Sequence, residues 1–206
     1  MALRQAAPER KASPDRLGAF SDGVIAVIIT IMLLELKAPH EATLAALAAL
    51  WPTFASYTLS YFFIAIVWVN HHHLLRYAQA AEPSVIWSNF GFLFSVSLIP
   101  FFTSWLAESW MAGSRMAPLP TALYAANFLL VTFAHSLFET AIARQSVQDP
   151  QLKAKLRSAH RRNWFAALVY SLAIPAAWLH PACSLALILG VSLLYFAPEA
   201  GKRIAH

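Results

Sequence analysis

Residues 16–36 read RLGAFSDGVIAVIITIMLLEL. This is a stretch of apolar residues long enough to cross a bilayer, about 20 residues, yet it carries Arg16, Ser21 and Asp22 in its first two turns. A charged group inside a span costs roughly 2.5–3.5 kcal/mol on insertion scales, so such residues usually face protein or water and mark function. At about 100° per residue, Phe20, Val24, Val27, Ile31 and Leu34 share one stripe, with Thr30 on its flank. Asp22 points roughly 160° from the head of that stripe. One side of the helix is therefore branched and aliphatic, and the other carries an acid near its start. Ser13-Pro14-Asp15 supplies an oxygen cap, a proline whose missing N–H is harmless, and an acid at the positive end of the dipole, so the helix begins before Arg16.

The rest of the 206 residues match this opening. The chain is 59% hydrophobic and 12% charged, with a mean hydropathy of +0.55, too apolar for a soluble domain of this size. Six apolar stretches, 17–37, 53–76, 84–107, 120–143, 163–180 and 182–198, predict six transmembrane helices. They are too long and too unalternating for barrel strands. Pro52 opens the second span, after a short segment at 42–50 at the interface, and Pro100 and Pro175 predict kinks inside spans three and five. The expected architecture is all-α: a polar N-terminal tail at 1–12 and a single six-helix domain at 13–206. The tail lacks the apolar core of a signal peptide, so the first span is expected to be retained.

Orientation follows from the basic residues. With the N-terminus in the cytoplasm, thirteen of the fifteen Lys and Arg fall on the cytoplasmic side, leaving Lys37 and Arg115 outside. Both termini then lie in the cytoplasm, and the net charge of +5 calls for no nucleic-acid partner. Residues 151–163, QLKAKLRSAHRRN, read as a topology determinant that could also hold anionic lipid. The single Cys183 cannot form an internal disulfide.

Partners for the acid are expected in WVNHHHLLR at 68–76, which ends span two at the same level. Trp68 and His72 are four apart on one face, and His71 or His72 is expected to turn inward and pair with Asp22 or Ser21. Three consecutive histidines splay around a helix and cannot converge on one ion, so no metal site is expected. His135 and Glu139, four apart in span four, could pair. Asn89, Ser88, Ser95 and Ser97 suit helix–helix hydrogen bonds, with Gly91 permitting close approach. No Walker loop, HExxH helix, dinucleotide fingerprint or defensible catalytic trio occurs, and no TVGYG filter, so neither catalysis nor a cofactor is expected.

RLGAFSDGVIAVIITIMLLEL resembles the first-helix signature of the transmembrane protein 175 family, endolysosomal potassium channels and their prokaryotic relatives, whose hallmark is Arg-x-x-x-Phe-Ser-Asp. Here that is Arg16, Phe20, Ser21 and Asp22, with Trp68-x-x-His71-His72 a second point of likeness. The resemblance implies a potassium channel without a carbonyl selectivity filter, a homotetramer in which each first helix lines a central pore and potassium is the permeant ion. It assigns the pore constriction to Val27, Ile31 and Leu34 and potassium preference to Thr30. Val27 departs from the bulkier isoleucine usual at its position. Apolar rings gate by dewetting, and Asp22 would then brace the helix rather than line the path. A prokaryotic plasma membrane is the expected location. The alternative is a proton-coupled secondary transporter with Asp22, His71 and His135 as a relay, and the third reading is a non-conducting scaffold.

Overall fold

The computed structural model describes residues 13–113, 117–145 and 150–202, the side chains at 150–156 and 196–202 excepted. The tail at 1–12, Arg115 and Arg203 lie outside them. The described chain is helical throughout: α1 Pro14–Leu34, α2 Leu44–Ala49, α3 Trp51–Leu75, α4 Pro83–Ser97, α5 Ile99–Ala112, α6 Pro118–Gln145, α7 Pro150–Leu179 and α8 Pro181–Lys202.

Local chemistry sets the starts. Five of these helices begin on a proline, and α3 and α5 have Pro52 and Pro100 at their second residue. The first turn of a helix is where an absent N–H is costless and a fixed φ is an advantage. Ser13 caps α1 by accepting the Asp15 N–H at 3.2 Å, and Thr43 caps the short α2 by accepting the Ala46 N–H at 3.1 Å.

Four stretches of the described residues, Pro14–Leu34, Trp51–Leu75, Pro83–Ala112 and Pro118–Gln145, are long and apolar enough to cross a membrane, and Pro181–Tyr195 is a shorter apolar helix. The kink expected at Pro100 is a one-residue interruption at Leu98, which keeps right-handed helical backbone angles and separates α4 from α5 within the third stretch. Pro100 has no N–H to offer the Val96 carbonyl, and the Ser95 and Ser97 hydroxyls draw on the carbonyls of Phe92 and Phe94, each at 2.7 Å. The Leu98 carbonyl instead accepts from Phe102 at 3.2 Å, as the first acceptor of α5. α7 runs unbroken through Pro175, and it starts well before the boundary expected at 163.

α6 is the hub. It packs against α3, α4, α5, α7 and α8, whereas α1 sits to one side against α3, α4 and α5. Bilayer tails are as apolar as leucine, so van der Waals fit and interhelical hydrogen bonds hold such a bundle more than apolar burial does. Ser60 of α3 bonds both Thr103 of α5 and Tyr124 of α6, each at 2.7 Å. Asn163 of α7 donates to Glu139 of α6 at 2.8 Å and accepts from the Tyr195 hydroxyl of α8 at 3.1 Å. His135 approaches the same Asn163 at 3.4 Å. His135 and Glu139 thus share a partner on α7 in place of the direct pair expected from their spacing. Gln145 clamps the α3–α4 connection, accepting from Gln79 N–H at 3.0 Å and donating to the Ala80 carbonyl at 2.9 Å.

Candidate functional site

α1 divides its residues between two sides. Leu17, Ser21, Ile25, Ile28 and Met32 are buried against the bundle, at spacings of four, four, three and four that keep them on one seam. Ile25, Ile28 and Met32 pack with Phe63, Ile64 and Val67 of α3 and Phe92, Leu93 and Val96 of α4. Away from this seam, Phe20, Val27, Ile31 and Leu34 are 50%, 55%, 45% and 78% exposed. Thr30 is exposed among them. Its hydroxyl donates to the Val27 carbonyl at 2.8 Å, so what the residue presents outward is an oxygen lone pair and a methyl group. Among the described residues, Val27, Thr30, Ile31 and Leu34 stand outside the buried core clusters.

The polar residues at the head of α1 bond to α3 and α4. Ser21, fully buried, donates to the Leu17 carbonyl at 2.8 Å and accepts from the Asn89 side-chain N–H at 3.0 Å. The Asn89 oxygen in turn meets His71 Nε2 at 2.7 Å. A carbonyl oxygen only accepts, so Nε2 carries the ring hydrogen. The imidazole is sandwiched between Phe92 and Phe138, 5.0 Å from each ring and nearly parallel to both. Asn89 therefore ties α1, α3 and α4 together in one buried node. Gly18 lets α1 approach α3 at this level, since a Cβ there would lie 3.1 Å from Leu75 Cδ2. Gly91, expected to permit such an approach, has nothing near it.

Asp22 is held differently from expectation. Its Oδ1 accepts the indole N–H of Trp68 at 2.8 Å at an exposed edge between α1 and α3, and neither His71 nor His72 bonds it. His72 is exposed and lies beside Trp68, with ring centroids 5.5 Å apart. Among the described residues, Asp22, His71 and His135 of the transporter reading have separate hydrogen-bond partners: Trp68, Asn89 and Asn163. Phe20 meets Phe90 of α4 edge-on at 5.6 Å, and Arg16 is exposed in the first turn of α1. At the far end Glu35 accepts from Ser104 of α5 at 3.2 Å. Among the described residues no three His, Cys, Asp or Glu side chains come together as a metal site.

Residues 16–100, which hold α1 and this node, match the family described as endosomal/lysosomal potassium channel TMEM175. A potassium channel of Chryseobacterium sp. is 34% identical over 189 residues, 92% of this chain and 94% of the relative. The chain belongs to the TMEM175 family. A potassium channel of Streptomyces collinus is 30% identical over 187 residues, 88% of this chain and 90% of its own length. This TMEM175 chain shares its fold with the crystal structure of a lysosomal potassium-selective channel TMEM175 homolog from Chamaesiphon minutus. That likeness has a TM-score of 0.78 and 23% identity, over 88% of this chain and 95% of the other.

Of the residues that sequence reasoning grouped in this TMEM175 chain, the structure joins Asp22 to Trp68, sets His72 beside Trp68 and links Ser21 to His71 through Asn89, while Phe20 meets Phe90 and Arg16 is exposed. Sequence reasoning missed Asn89 as the residue on which Ser21 and His71 converge. The available signal was an asparagine one to two turns into an apolar helix, where an unpartnered amide is costly.

Proposed function

We propose that the protein is a potassium-preferring cation channel, a homotetramer in a prokaryotic plasma membrane. Each chain crosses the bilayer six times with both termini in the cytoplasm and contributes α1 to a central pore. The observation that carries the reading is likeness along nearly the whole chain to relatives named potassium channels, and the exposed Val27, Ile31 and Leu34 on α1 are the apolar positions available for a pore face.

In this reading the rings of Val27, Ile31 and Leu34 narrow the path. An apolar neck expels water, so a hydrated cation passes only when the helices rotate or spread. Thr30, with its hydrogen committed to the backbone, offers a cation a ring of acceptor oxygens. Asp22, bonded to Trp68 at 2.8 Å, and Ser21, locked to Asn89, set the rotation that aims the aliphatic row at the axis. The residues that brace α1 are thus separate from those that would meet the ion.

The test is potassium flux into proteoliposomes. Val27→Ala and Leu34→Ala are expected to raise basal flux by more than about tenfold, the rate equivalent of about 1.4 kcal/mol of barrier. Cysteines placed at 27 and 34 are expected to react with a water-soluble thiol reagent. A folded tetramer that passes no potassium, or cysteines at 27 and 34 that resist the reagent while one at 22 blocks flux, would overturn the reading.

A further inference from the structure

α7 is 30 residues long, about 45 Å at the helical rise, against a hydrocarbon core of about 30 Å. It packs on α6 and α8, on the far side of the protomer from α1, so its outer face is the one turned to lipid. Its first third therefore continues beyond the apolar region as a rigid extension. Along its outer face Arg157, Arg161, Trp164 and Leu168 fall within about 60° of arc, with His160 adjoining. All five are exposed, Trp164 at 65% and Leu168 at 58%. The order along the helix is guanidinium, guanidinium, indole, aliphatic. That is the order of polarity across one leaflet, phosphate, interface and tails.

Two further details separate this face from a plain charge count. Arg162, the neighbouring basic residue, turns about 100° away and stacks over the Tyr195 ring at 5.5 Å. Of the described arginines of α7, Arg157 and Arg161 therefore share the outer face and Arg162 does not. The Trp164 indole N–H donates to His160 Nε2 at 2.8 Å, which fixes the indole and leaves the imidazole hydrogen on Nδ1 as a further donor beside the two arginines.

We propose that Arg157, His160, Arg161 and Trp164 form a binding site for the headgroup of an anionic phospholipid of the cytoplasmic leaflet, its acyl chain lying along Leu168. The leaflet rests on the orientation given above. The charge complementarity does not. Guanidiniums pair with phosphate oxygens bidentately, and the indole holds the glycerol level.

Native mass spectrometry of the purified protein, with phosphatidylglycerol competing against phosphatidylcholine, tests this without any flux measurement, so failure to conduct would leave it standing. The wild-type protein is expected to retain phosphatidylglycerol preferentially, and less so as salt is raised. Arg157→Gln with Arg161→Gln is expected to lower that preference about 30-fold, while Arg162→Gln leaves it unchanged. Equal retention of the two lipids by wild type would overturn the proposal. An unchanged preference in the double variant, or an equal loss in Arg162→Gln, would do the same. Displacement of the lipid by soluble glycerol phosphate at matched concentration would also count against it, as a free-phosphate site.

Discussion

Replacing Asn89 by alanine tests the node that orients α1. The residue is fully buried. It donates to Ser21 at 3.0 Å and accepts from His71 at 2.7 Å. Interhelical hydrogen bonds in membranes average about 0.6 kcal/mol, with a maximum near 1.7, so the two bonds contribute about 1–2 kcal/mol. The truncation also strands the His71 Nε2–H between two phenyl rings, and an orphaned buried donor adds about 1–3 kcal/mol. His71 cannot recover this elsewhere, because its Nδ1 is already buried without a partner. The expected loss for Asn89→Ala is about 2–5 kcal/mol, read as the unfolding free energy in a mixed-micelle titration with SDS. Ser21→Ala is expected to cost about 1 kcal/mol alone and only a few tenths in the Asn89→Ala background, since Ser21 keeps its bond to the Leu17 carbonyl there. A loss below about 0.5 kcal/mol for Asn89→Ala, or strict additivity in the cycle, would refute the assignment of Asn89 as the common partner.

Two further outcomes follow from the same region. Asp22→Asn keeps an oxygen able to accept the Trp68 indole N–H and is expected to cost less than half of what Trp68→Phe costs, itself about 0.5–1.5 kcal/mol for a charge-assisted bond at an exposed edge. The reverse order in the same titration would show that Asp22 acts through something other than Trp68. Gly18→Ala is expected to change stability by less than about 0.5 kcal/mol, because the flexible end of Leu75, 3.1 Å from the new Cβ, can give way. Gly18→Leu should lose about 1–3 kcal/mol by prising α1 from α3, and a neutral result would mean that the two helices do not touch at that level.

Part of the division of α1 was legible in the sequence because it is a matter of period: Phe20, Val27, Ile31 and Leu34 of the predicted stripe are exposed. Val24 of that stripe packs against the core instead, and the seam Leu17, Ser21, Ile25, Ile28 and Met32 needed the neighbours to be seen. The cap at Ser13 and the helix start marked by Pro52 are equally local. Partners are not local. Spacing brought Trp68, His71 and Asp22 to one level, but which side chain reaches which depends on how α1, α3 and α4 are rotated against one another. The buried histidine therefore took Asn89 and the acid took the indole. The same holds for His135 and Glu139, whose i, i+4 spacing suggested a direct pair although Asn163 of α7 lay within reach of both. Asn163 was read as the border of a span because hydropathy falls there, whereas the helix continues for thirteen residues on the polar side. Hydropathy marks where lipid ends, and backbone geometry has no reason to stop at the same place.

The seat of α1 at the margin of its bundle has a consequence for how such a chain can vary. Residues 27, 30, 31 and 34 stand outside the buried core, so a change in their size or polarity disturbs the fold less than one at Ile25, Ile28 or Met32. The ledger of stability is kept on one side of the helix and the character of its outward row is written on the other. Under the pore reading proposed above, exchanges at these four positions would alter permeation while the scaffold stays unaltered.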